Sequence, residues 1–142
     1  MNKVKSASEA IGQLEDGMTI GIGGWGPRRK PMALVREILR TNLNDLTLVS
    51  YGGADVGMLC AAGRVAKLIF AFVSLDFIPL EPFFRQARQS GKLDVLEIDE
   101  GMMLQGLRAA AWKIPFIPTA VGLGTDIIEK TSEIKMTNSP YD

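Results

Sequence analysis

Two adjacent acids and a run of glycines are the places where this sequence could do chemistry. Asp99-Glu100-Gly101 sets two carboxylates beside a residue with no side chain. Acid–base work here must rest on Asp, Glu, Lys or Tyr, or on a partner subunit, because the 142 residues include no histidine. That absence removes Ser-His-Asp and Cys-His constellations and histidine metal sites from the chain. The single cysteine, Cys60, lies in an apolar string and reads as a small buried hydrophobe; alone it forms no intrachain disulfide. The structural alternative for Asp99-Glu100 is that acids collect at helix N-termini, where the macrodipole favours them without any chemistry. Asp55, Asp76 and Asp126 are isolated acids and read as caps or turn formers.

The glycine run Gly21-Ile22-Gly23-Gly24-Trp25-Gly26 spells the G-x-G-x-x-G pattern. A dinucleotide site also needs an acid at the end of the second strand to hold a ribose, and that strand ends in Ser50-Tyr51. NAD binding is therefore disfavoured. What remains is a strand-to-helix turn able to approach an anionic ligand closely, ahead of a helix N-terminus. Arg28-Arg29-Lys30 follows it. These cations suit phosphates or a carboxylate; they equally suit a solvated face. Trp25 could cover an acyl chain or adenine, or pack as a core or partner contact. With no G-K-[ST], P-loop nucleotide hydrolysis is unsupported.

The elements that must position these residues alternate. Strands are predicted at 18–22, 45–50, 67–73 and 94–98. Helices are predicted at 8–14 with Ser8 as N-cap, and at 31–40, 55–62, 81–90 and 100–113. The apolar run Lys67 to Val73 reads as a strand buried on both faces. The pattern predicts an α/β fold: a doubly wound, mostly parallel sheet with helices on both faces. Ligands of such sheets bind at the carboxyl ends of the strands. The turns at Gly23-Gly24 and Gly52-Gly53 and the pair Asp99-Glu100 all follow strand ends and are expected on one edge.

Composition agrees with a globular protein: 46% hydrophobic and 23% charged residues, with 16 cations against 16 anions. Zero net charge and no helix-turn-helix segment speak against a nucleic-acid partner. No apolar run is long enough for a membrane span, and the first residues lack the apolar core of a signal peptide, so a cytoplasmic protein is expected. The length suits a single domain over residues 1–142.

Asp16-Gly17, Gly23-Gly24-Trp25 and Pro31 together resemble the N-terminal signature of the α subunit of family I coenzyme A transferases. The family usually has an aliphatic residue at Gly21, Phe at Trp25 and Gly at Arg29. The longer strings GIGGWGPRRKPMALVREIL, SYGGADVGMLCAAGRV, FVSLDFIPLEPFFRQARQSG and DEGMMLQGLRAAAWKIPFIPT resemble one branch of it. That branch is the α subunit of bacterial acyl-CoA hydrolases that open a steroid ring in cholesterol degradation. Such subunits are about twice this length, so the resemblance implies an N-terminal portion of the domain. It implies a coenzyme A thioester as substrate, no further cofactor, and a β subunit in a heterodimer or α2β2 assembly. Transferases of the family use a glutamate of a Ser-Glu-Asn-Gly motif on the β subunit, a motif absent from this sequence. In the ring-opening branch a glutamate of the α subunit is implicated, and Glu100 matches it. Gly23, Gly24, Trp25, Gly26, Arg28, Gly52, Gly53, Gly122 and Gly124 would shape the acyl-CoA cavity. Relatives commonly carry arginine where this chain has Ala120. Genuine CoA transfer and a ligand-sensing domain without catalysis are the alternatives.

Overall fold

The architecture follows from where the apolar side chains recur. The computed structural model describes residues 3–141 and contains a four-stranded sheet in the order β1-β2-β3-β4. The strands are β1 (Thr19–Ile22), β2 (Leu46–Ser50), β3 (Val65–Phe70) and β4 (Asp94–Glu97). β1 pairs with β2, and β2 with β3, in parallel. Between the strands lie α2 (Met32–Leu39), α3 (Ala54–Ala61) and α4 (Pro82–Gln89), with α1 (Ala7–Ile11) ahead of them. The expected α/β fold with a parallel sheet is what forms. By contacts, the chain divides into two compact units, Met1–Leu96 and Glu97–Asp142.

The core of the first unit shows why β2 and β3 are strands. Leu46 and Leu48 alternate with half-buried residues along β2, as Leu68 and Phe70 do along β3. These side chains pack with Val35, Ile38, Val56, Leu59 and Phe84 of the helices. Phe70 and Phe84 meet edge to face at 5.2 Å. Each such buried side chain contributes roughly 1.5–3 kcal/mol of transfer free energy. β3 is shorter than expected and is not buried on both faces: Lys67 and Ile69 stay half-buried. An ion pair of Lys67 with Asp94 at 3.2 Å explains the polar residue on that face.

Helix ends follow local chemistry. α1 is capped by Ser6, not Ser8, because Ser6 and Glu9 form a reciprocal capping box. That pairing also lowers the pKa of the exposed Glu9 carboxyl, chiefly through the Ser6 backbone N–H. α4 begins at Glu81, whose carboxylate accepts the Phe84 N–H at 2.7 Å, with Pro82 opening the first turn.

The second unit holds α5 (Glu100–Trp112) and the short α6 (Ile127–Lys130), which the sequence pattern did not suggest. α5 ends at Lys113 in the left-handed conformation, two residues before Pro115. No helix among the described residues is long and apolar enough to cross a membrane.

Candidate active site

Three loops interlock at the carboxyl ends of β1, β2 and β3, all within the first unit. Gly26 N–H donates to Tyr51 C=O at 3.0 Å, Gly52 N–H to Phe72 C=O at 2.9 Å, and Ser74 N–H to Gly52 C=O at 3.0 Å. The two glycine turns expected to converge do so, and the segment after β3, not foreseen as part of this edge, joins them. Trp25 meets Phe72 edge to face at 5.1 Å, and Tyr51 lies 5.8 Å from the same ring. Trp25 keeps 40% of its surface exposed, so it is a rim residue rather than a core one.

The close fit of the turns explains most of these glycines. Trp25 and Arg28 exchange backbone hydrogen bonds at 3.0 Å, closing a tight turn. A Cβ on Gly53 would come within 2.4 Å of the Gly26 carbonyl oxygen, and one on Gly24 within 2.7 Å of the Arg28 carbonyl oxygen. Gly23 differs. It has no positive φ, and a Cβ there would meet nothing within 4 Å. Open space therefore lies beside the chain where β1 ends.

The three adjacent cations have three separate fates, where the sequence suggested one shared role. Arg28 pairs with Asp76 at 2.7 Å on the surface. Arg29 takes a left-handed backbone with φ 58°. Lys30 is buried, its side chain 1% exposed, and pairs at 3.0 Å with Asp55, itself fully buried. Asp55 and Asp76 are thus not isolated acids, although Asp55 also accepts the Gly53 N–H at 2.8 Å as a turn former would. Sequence reasoning missed this pairing because the two residues lie far apart in the chain and nothing local marks them as partners.

Cys60 is partly buried against the core, close to the small-hydrophobe expectation. Its thiol pKa is pushed up to about 12, first by burial and then by the negative charges of Glu81 and Asp55. Such a thiol stays protonated at neutral pH and is a poor nucleophile. No group of three or more metal-ligating side chains occurs among the described residues.

Glu100, Gly122 and Gly124 lie in the second unit. Glu100 is the exposed first residue of α5. Asp99 is its N-cap, accepting the Gly101 N–H at 2.7 Å, so the two acids have different surroundings. The side of Gly101 that could have admitted a ligand faces Val121, 3.1 Å from where a Cβ would stand. Gly122, at φ 89°, packs against Met102 of the same helix turn. The Val121–Gly122 turn is therefore seated on the N-terminal turn of α5 that carries Glu100. Gly124, at φ 78°, has open space around its α-carbon.

The family model for coenzyme A transferase matches residues 4–139. The chain belongs to the coenzyme A transferase family. Among its relatives is a Rhodococcus jostii protein named cholesterol ring-cleaving hydrolase IpdA subunit, 53% identical over 138 residues, which cover 96% of this chain and 47% of that protein. The Mycobacterium tuberculosis protein of the same name is 49% identical over 142 residues, 99% of this chain and 49% of its own. Among solved structures, glutaconate coenzyme A-transferase from Acidaminococcus fermentans superposes with a TM-score of 0.85 at 30% identity, covering 90% of this chain and 41% of that one. A point variant of the decarboxylase AibA/AibB gives a TM-score of 0.83 at 31% identity, covering 90% and 50%. This family member spans about half the length of the relatives it matches.

Proposed function

We propose that the chain is part of the α subunit of an acyl-CoA enzyme that opens a ring by hydrolytic C–C cleavage, in steroid catabolism. The observation that carries this is identity of 53% and 49%, across nearly the whole chain, to two subunits named as cholesterol ring-cleaving hydrolases. The substrate class is a cyclic β-keto acyl-CoA, and the working enzyme includes a β subunit, in line with the "subunit" names of the relatives. Glu100 is the catalytic residue. Its carboxylate takes a proton from water, the oxygen adds to the ring ketone, and the bond to the carbon next to the thioester breaks. That carbon leaves as an enolate and is reprotonated, so one water is consumed and the thioester survives. Gly23, Gly24, Trp25, Gly26, Arg28, Gly52 and Gly53 of the first unit line the acyl-CoA cavity, and the open space at Gly23 supports this reading.

Genuine CoA transfer is the second reading, favoured by the likeness to glutaconate coenzyme A-transferase. The assembled enzyme separates them when given a cyclic β-keto acyl-CoA, with and without a free carboxylic acid. Ring opening without the acid, lowered about 10²–10⁴-fold in Glu100→Gln, is the expected result. A thioester trapped on the β subunit, formed from the acyl-CoA with loss of its acid and discharged when the acceptor acid takes up the CoA, would replace hydrolysis by transfer. Ring opening untouched by Glu100→Gln would remove Glu100 from the mechanism. Calorimetric binding of NAD without CoA would remove both readings.

A further inference from the structure

A closed polar triangle lies beneath the glycine turns, walled off from solvent. Lys30 Nζ donates to Ser50 Oγ at 2.7 Å and lies 3.0 Å from Asp55 Oδ2. Ser50 Oγ donates in turn to Asp55 Oδ2 at 2.8 Å. Asp55 Oδ1 accepts the Gly53 N–H at 2.8 Å. Ser50 is 1% exposed and Asp55 0%.

Stability alone does not call for this arrangement. Removing two charges from water costs several kcal/mol per ion, and a well-packed apolar pair of similar volume usually serves as well. An apolar pair, however, has no directional bonds. This network joins the end of the β1–α2 turn, the last residue of β2 and the first turn of α3. Those are the segments whose backbones meet where Gly53 fits against the Gly26 carbonyl.

We propose that Lys30, Ser50 and Asp55 form a positioning network that fixes the spacing of the two glycine turns, and with it the shape of the CoA-binding edge. The second half of this assignment rests on the reading of that edge as an acyl-CoA cavity. Lys30 touches no ligand; it acts through the turns.

The test uses the chain co-purified with its partner. Lys30→Met/Asp55→Asn removes both charges, so no lone buried charge is left behind. Amide hydrogen exchange over residues 21–31 and 50–57 should quicken about tenfold or more, while β3 keeps its native protection. CoA affinity, read by calorimetry, should fall about tenfold as the preorganised turns loosen. Native exchange in both segments, or native CoA affinity in the variant, overturns the proposal. Should the double variant not fold, Ser50→Ala keeps the ion pair and cuts both hydrogen bonds of the Ser50 hydroxyl, and the same two measurements decide in the same way. If the wild-type enzyme does not bind CoA, the acyl-CoA reading fails by itself, and hydrogen exchange still decides whether the network holds the turns.

Discussion

Arg29 holds a backbone φ of 58°, a region that side chains with a Cβ rarely occupy. The strain costs on the order of 1–3 kcal/mol, against which a glycine would lose about 0.5–1 kcal/mol through its freer unfolded state. The family signature that this sequence resembles has glycine at this position, and the left-handed turn supplies a physical reason for it. Arg29→Gly should therefore stabilise the protein by about 0.5–1 kcal/mol, seen as a higher urea midpoint at unchanged m-value. A lower midpoint would mean that the Arg29 side chain contributes more than its backbone costs. The same residue shows what a sequence conceals. Three consecutive cations look equivalent in print, yet one is strained, one is paired at the surface and one is buried.

Between elements, α3 and α4 are held by a contact that reverses an ordinary expectation. Glycine in a helix interior usually costs about 1 kcal/mol relative to alanine. Here a Cβ on Gly57 of α3 would stand 2.1 Å from the Glu81 carboxyl carbon, the group that caps α4. Gly57→Ala should push Glu81 out of its cap and destabilise by roughly 1–2 kcal/mol. In a Glu81→Ala background the same substitution should turn neutral or stabilising, and a double-mutant cycle in urea measures the coupling. Additive effects would show that the two positions do not touch. The alternation of strands and helices was legible in the sequence because period-2 runs such as Leu46 to Ser50, and the Pro82 and Gly91 boundaries of α4, are local signals. The Lys30 network was not legible: its partner Ser50 lies twenty residues away, and only the parallel pairing of β1 with β2 brings them together. The site was half legible in the same sense. The turns after β1 and β2 announced themselves by glycine, whereas Phe72 and Ser74 carry no such mark.

For the molecule as a whole, the apolar core is unevenly shared. Every member of the buried hydrophobic cluster lies between Ile11 and Leu93, inside the first unit. In the second unit the buried hydrophobic residues are Met103 and Ala109 among the described residues. A fragment of residues 1–97 should therefore unfold cooperatively in urea with native-like far-UV circular dichroism, and residues 98–142 alone should show no such transition. The reverse result would show that the apolar cluster of the first unit is not what sustains its fold. The buried Lys30 has one more consequence at this scale. With that ammonium walled in and Arg28 paired with Asp76, Arg29 is the cation of the three that stays exposed outside an ion pair among the described residues. The net ionic pull of the β1–α2 turn thus comes down to a single guanidinium rather than to three charges.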